Sequence, residues 1–138
     1  MDWITDEIAI GNFAESQDVA LLKASRIRSI LSLDGSLDRQ HAAELGVAEV
    51  VGYPLIDGPG NDLRVMEFAV ADLESLVRRL SPVLVHCHAG RSRSVAVVAG
   101  YLMRRHDISA DEAIRRVSAR RESSVAPALL DLLDRLES

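Results

Sequence analysis

Residues 86–94 read His-Cys-His-Ala-Gly-Arg-Ser-Arg-Ser, so a single short stretch holds the chain's only cysteine, two arginines and a glycine. Before it, Val83-Leu84-Val85 is a run suited to a buried strand. After it, Val95 to Met103 is apolar on every side and predicts a buried helix. The stretch therefore opens a helix. Backbone N–H groups of such a loop and first turn lack partners, and together with the helix dipole they draw in an anion the size of phosphate. Arg91 and Arg93 at this positive end are unfavourable unless an anion sits there too, so their placement implies a bound dianion. Thiols in such surroundings are held as thiolates, which makes Cys87 a candidate nucleophile rather than a small core residue.

The neighbours of Cys87 fit the same chemistry. Arg93 offers a planar fork of donors that can hold two phosphoryl oxygens as charge develops on them, which a lysine cannot do. Gly90 supplies a left-handed turn or a close backbone approach, so that the N–H groups of His88, Ala89, Gly90, Arg91, Ser92 and Arg93 all turn inward. Ser94 is expected as an N-cap hydroxyl. No metal is expected: His86, Cys87 and His88 are consecutive and diverge from a strand, and His41 and His106 add no ligand spacing. No other cofactor is implied.

The run from His86 through Cys87 to Arg93-Ser94, with Ala89-Gly90 and Ser92 between, resembles the signature of the cysteine-dependent protein tyrosine phosphatases, and within them the dual-specificity branch. The resemblance implies that Cys87 attacks phosphorus and that Ser94 hydrogen-bonds its sulfur as the phosphoenzyme breaks down. It further implies that His86 orients the loop and supports the ionised thiol. Such enzymes carry a general acid on a strand-to-helix loop upstream, with a second Asp five residues later. Asp57 and Asp62 match that spacing, in Asp57-Gly58-Pro59-Gly60-Asn61-Asp62. From the residues alone Asp57 reads as a turn former; the resemblance makes it the acid. The Gly58-Pro59-Gly60 triplet departs from more polar relatives and implies a more mobile loop. Asp62 reads as an N-cap, and Asp34, in an Asp-Gly turn, is the rival acid.

The elements that must position these residues follow from periodicity. Strands are expected at Trp3–Ile10, Ile27–Leu33 and Glu49–Leu55, with helices near Asp18–Ala24 and Asp38–Leu45, the latter closed by Gly46. Residues 63–80 place Met66, Val70, Leu73, Val77 and Leu80 on one helical face, and Ser81-Pro82 ends it. Ser109 with Glu112 forms a capping box for a further helix, and a last helix starts near Ala126. This alternation predicts an α/β fold with a central, mostly parallel sheet flanked by helices. The phosphatase resemblance covers essentially the whole chain and implies that fold.

With 138 residues the chain reads as a single catalytic domain. A hydrophobic fraction of 48% excludes disorder, and no apolar run is long enough to span a membrane. The acidic start lacks the regions of a signal peptide, and one cysteine suits a reducing compartment, so a cytoplasmic location is expected. The net charge of −5 argues against nucleic acid or an anionic membrane as partner. The doublets Arg104-Arg105, Arg115-Arg116 and Arg120-Arg121 read as solvated faces. Phosphorylated proteins are the implied substrates: a chain this short has little room for pocket-deepening loops, so a shallow site would admit phosphoserine and phosphothreonine beside phosphotyrosine. A phosphoinositide or an RNA 5′-phosphate would suit the same chemistry, though the loop lacks the lysines of lipid-directed relatives. A phosphate-binding module without turnover is disfavoured by intact Cys87, Arg93 and Asp57. A sulfurtransferase is disfavoured by Arg93-Ser94 in register. Oligomeric state is left open, a monomer being compatible.

Overall fold

Short β-rich runs between amphipathic helices build a five-stranded sheet, seen in a computed structural model that describes residues 1–137. In chain order the elements are β1 (Asp2–Trp3), β2 (Ile8–Gly11), α1 (Phe13–Ser16), α2 (Val19–Ala24), β3 (Ser29–Ser32), a 3₁₀ turn (Arg39–His41) running into α3 (Ala42–Leu45), β4 (Glu49–Gly52), α4 (Leu63–Leu80), β5 (Val83–His86), α5 (Arg93–His106), α6 (Ala110–Ser118) and α7 (Pro127–Glu137). The strands lie in the order β1-β2-β5-β3-β4. All neighbours are parallel except β1 and β2. The expected mostly parallel sheet is therefore present.

Period-two alternation divides the core between the two faces. Ile8, Ile10, Leu31, Val83 and Val85 pack with α4, α5, α6 and α7, while Ala9, Ile30, Leu84 and Val50 pack with Leu22 of α2 and Leu45 of α3. The chain leaves β2 and β3 toward the second face but leaves β5 toward the first. Loops at the carboxyl ends of neighbouring parallel strands thus part to opposite sides, which opens a crevice above β5. Helix α5 suits its position: every residue from Ser94 to Met103 is buried.

Three local expectations change. The strand expected over Trp3–Ile10 is broken because the Thr5 hydroxyl accepts hydrogen bonds from Glu7 N (3.1 Å) and Ile8 N (3.1 Å), folding β1 back antiparallel on β2. Helix α1 has no counterpart among the expected elements, and a reciprocal cap between Asn12 and Glu15 nucleates it. At α6 the Ser109 hydroxyl does accept from Glu112 N, but the Glu112 carboxylate turns to Arg115 and Arg116 instead of closing the box. Asp62 caps α4 as expected, accepting from Arg64 N at 2.9 Å, and Gly46 ends α3 with a φ of 74°.

Candidate active site

The candidate site lies where β5 ends and α5 begins. A cleft of ≈ 340 Å³ is lined by Asp57, Cys87, His88, Ala89, Arg91, Ser92, Arg93 and Ser124. Seven of these eight carry a role or a cradle position from the sequence; Ser124 does not. Cys87 is buried, only 2% exposed, and its Sγ lies 3.3 Å from Ser94 Oγ. Ser94 is therefore not the N-cap of α5, as the sequence suggested. The helix starts at Arg93, two residues earlier than an N-cap at Ser94 would place it, with Ser92 in the cap position and no side-chain capping bond. That frees the Ser94 hydroxyl for the sulfur and leaves the first N–H groups of α5 without a side-chain cap.

His86 is fully buried between two partners. Its Nδ1 lies 3.2 Å from the Cys87 carbonyl and its Nε2 2.8 Å from Ser32 Oγ. A carbonyl can only accept, so Nδ1 donates and Nε2 accepts from the Ser32 hydroxyl. Burial pushes this imidazole below its ordinary range, a push the nearby Asp34 only partly opposes. A neutral ring in this bridge orients the Cys87 peptide without adding a positive charge beside the sulfur.

Arg93, the first residue of α5, reaches across to the loop after β4. Its Nη1 donates to the Leu55 carbonyl at 3.3 Å, and its Nε is buried without a partner among the described residues. A buried charged donor left unpaired is costly, about 1–3 kcal/mol or more, and points to an anion as its natural partner. Arg91 is more exposed and lies 3.6 Å from Glu122 at the rim. Gly90 has a φ of +70°, as its expected left-handed role requires.

The two acid candidates separate. Asp57 is exposed on the cleft wall. Its loop is held by Asn61, whose Oδ1 accepts from Ile56 N (2.9 Å) while its Nδ2 donates to Ile56 O (2.7 Å) and Gly58 O (3.3 Å). Asp34 instead accepts from Ser36 N (3.0 Å) and Ser36 Oγ (2.5 Å). Burial works to raise its carboxyl, but the Ser36 hydrogen bonds and the positive charge of Arg93 outweigh it and hold it below the ordinary carboxylate range. Asp34 is thus committed to Ser36, and of the two only Asp57 lines the cleft.

Three contributors carry no signal in the sequence. Ser32 sits on β3 and meets His86 only through strand pairing. Asn61 lies inside a turn-rich stretch where asparagine is ordinary. Arg121, expected on a solvated face, is the exception among the arginine doublets: its side chain is only 10% exposed and it binds the outside of the loop at 88–92. Its partner Arg120 and the other two doublets are exposed as expected.

Comparison with known proteins gives the chain its class. Residues 9–133 match the family described as the dual specificity phosphatase catalytic domain. The chain is 35% identical to mouse dual specificity phosphatase 28 over 121 residues, covering 86% of this chain and 71% of that protein. It is 30% identical to the Drosophila melanogaster dual specificity protein phosphatase MPK-4 over 122 residues, 88% of this chain but only 32% of the fly protein. The crystal structure of human DUSP28 superposes with a TM-score of 0.86 at 26% identity, covering 99% of this chain and 95% of that one. The chain belongs to the dual specificity phosphatase family. No helix among the described residues is long and apolar enough to cross a membrane.

Proposed function

We propose that this domain hydrolyses phosphate monoesters on proteins, at tyrosine and at serine or threonine, by two in-line displacements at Cys87. The observation that carries the proposal is a buried Cys87 lining the same cleft as Arg93, whose buried Nε has no partner among the described residues. The thiolate forms an S–P bond as the P–O bond to the substrate oxygen breaks, and Asp57 gives that oxygen its proton. Asp57, now a carboxylate, takes a proton from water as the water oxygen attacks phosphorus and the S–P bond breaks. Ser94 donates its hydroxyl proton in a hydrogen bond to the departing sulfur. Throughout, Arg93 and the N–H groups of residues 88–93 hold the equatorial oxygens.

Family membership supports phosphoprotein substrates, and the net charge of −5 disfavours phosphoinositide membranes and RNA. The lone cysteine and a working thiol suit the cytoplasm, and no step calls for a metal or other cofactor. The test is parallel turnover of phosphotyrosine, phosphoserine and phosphothreonine peptides, a phosphoinositide and 5′-phosphorylated RNA, with acid quenching to trap labelled phosphate on Cys87. Release confined to the lipid or the RNA, or no label on Cys87, would overturn the reading.

A further inference from the structure

Residues 88–91 present their carbonyl groups to partners outside the cradle. The only cis peptide among the described residues is Ser81-Pro82, so each peptide of this loop is trans, with its C=O and N–H pointing in opposite directions. Holding a carbonyl from outside therefore aims the next residue's N–H inward. His88 O accepts from Phe13 N at 2.9 Å, and Arg91 O accepts from Ser124 N at 2.9 Å. The two central carbonyls share one partner. Arg121 donates from Nε to Gly90 O (2.5 Å) and from Nη2 to Ala89 O (3.3 Å). Its Nη1 is anchored from the far side by Ile10 O (3.1 Å) and Asp2 Oδ2 (3.1 Å).

We propose that Arg121 is a positioning residue for the reaction: it holds the Ala89 and Gly90 carbonyls so that the N–H groups of Gly90 and Arg91 face the phosphoryl oxygens. The fit is close. A Cβ on Gly90 would lie 2.5 Å from Arg121 Nη2 and 2.5 Å from Gly11 O, so the absence of a side chain there serves this contact as well as the turn. A lysine could not replace the fork, because its three donors radiate from one nitrogen and cannot span two loop carbonyls, a strand carbonyl and a carboxylate together.

The inference rests on the phosphatase reading but is tested apart from it by calorimetric titration with orthovanadate, which needs no turnover. Arg121→Ala and Arg121→Lys are compared with wild type for vanadate affinity, for kcat and KM on an aryl phosphate, and for melting midpoint, all measured well below the midpoint of each variant. Arg121→Ala is expected to weaken vanadate binding and lower kcat by about tenfold or more, as removal of oriented donors from an anion hole does. Arg121→Lys is expected to recover the melting midpoint more fully than either. Vanadate affinity and kcat within about twofold of wild type in a folded Arg121→Ala protein, whatever its midpoint, would overturn the proposal. Should that variant not fold, Asp2→Ala, at a half-exposed side chain, removes the carboxylate that anchors the same guanidinium from the far side. It is expected to weaken vanadate in the same direction by a smaller factor, and unchanged affinity would again overturn the proposal. A wild type that binds vanadate yet turns over no phosphate ester would overturn the phosphatase reading, while the vanadate affinities of the variants would still decide whether Arg121 positions the cradle.

Discussion

The two loops that meet at the cleft are built in opposite ways. The loop after β5 is fastened on its outer side by Phe13, Arg121 and Ser124, and its Ser92 Oγ accepts from Ala126 N at 2.9 Å. In the loop after β4, Tyr53 and Leu55 are tied to the end of β3 by backbone bonds, but the stretch beyond them is held chiefly by one side chain, that of Asn61, and around it Ile56 and Asp57 stand exposed and a Cβ at Gly58 would touch nothing within 4 Å. A cradle for developing charge works by having its dipoles aimed before the reaction begins. A proton donor must approach a leaving group that arrives with the substrate and departs with the product, so freedom to move suits it. The closely fastened loop and the sparsely fastened one are joined by the bond from Arg93 to Leu55 O.

Substitutions in the fastened loop should therefore cost activity on every substrate, and those in the looser loop should cost according to the leaving group. The largest effect is expected for Cys87→Ser, measured as turnover of an aryl phosphate. Loss of a covalent nucleophile costs on the order of 10⁶-fold in comparable enzymes, and oxyanion binding should survive because the cradle remains. Next comes Arg93→Lys, which keeps the charge but loses the fork. A fall of about 10²–10³-fold in kcat, alike for tyrosine and serine phosphates, is expected, and a change confined to KM would make Arg93 an attractor only. Asp57→Asn should cost about 10²–10⁴-fold on alkyl phosphates and far less on a nitrophenyl ester, whose leaving group needs no proton. Equal losses on both would place Asp57 outside the proton transfer.

Smaller effects probe what holds the loops. Asn61→Ala removes hydrogen bonds worth about 0.5–1.5 kcal/mol each, so a loss of about tenfold or less, again greater for poor leaving groups, is expected. The smallest is a pH effect on stability, read by thermal melts. His86 binds a proton less readily folded than unfolded, because it is buried. The unfolded chain then holds more protons below the ordinary histidine range, and stability should rise with pH through that window and fall as pH drops through it. Asp34 and Arg93 face the same ring and oppose one another in charge. Replacing His86 with Gln should flatten the profile, and an unchanged slope would assign the acid sensitivity elsewhere.

Legibility in the sequence follows the range of the interactions. The candidate nucleophile, the arginine fork and the glycine turn lie within seven residues, and their strand-loop-helix setting can be read from hydrophobic periodicity. Asp57 is legible through its place after a strand and its spacing to Asp62. The helices 63–80 and 93–106 announce themselves by their apolar faces. What escapes is short or distant: the four residues of α1, held by a cap rather than by a periodic face, and the break at Thr5, which one hydroxyl imposes.

By itself the sequence determined the chemistry, because a cysteine, an arginine and a glycine at fixed offsets carry their reactivity and backbone preferences wherever the chain places them. Only the tertiary structure decided what supports them. Ser32 and His86 are 54 positions apart and meet because β3 pairs with β5. Arg121 and Gly90 are 31 apart and meet because α6, packed beside α5, delivers its following loop to the back of the cradle. In sequence that arginine is one of a doublet on a polar helix end, with nothing to tell it from Arg120. Its role comes from carbonyls turned outward by a loop whose N–H groups turn in, and that pairing of directions exists only once the loop is folded.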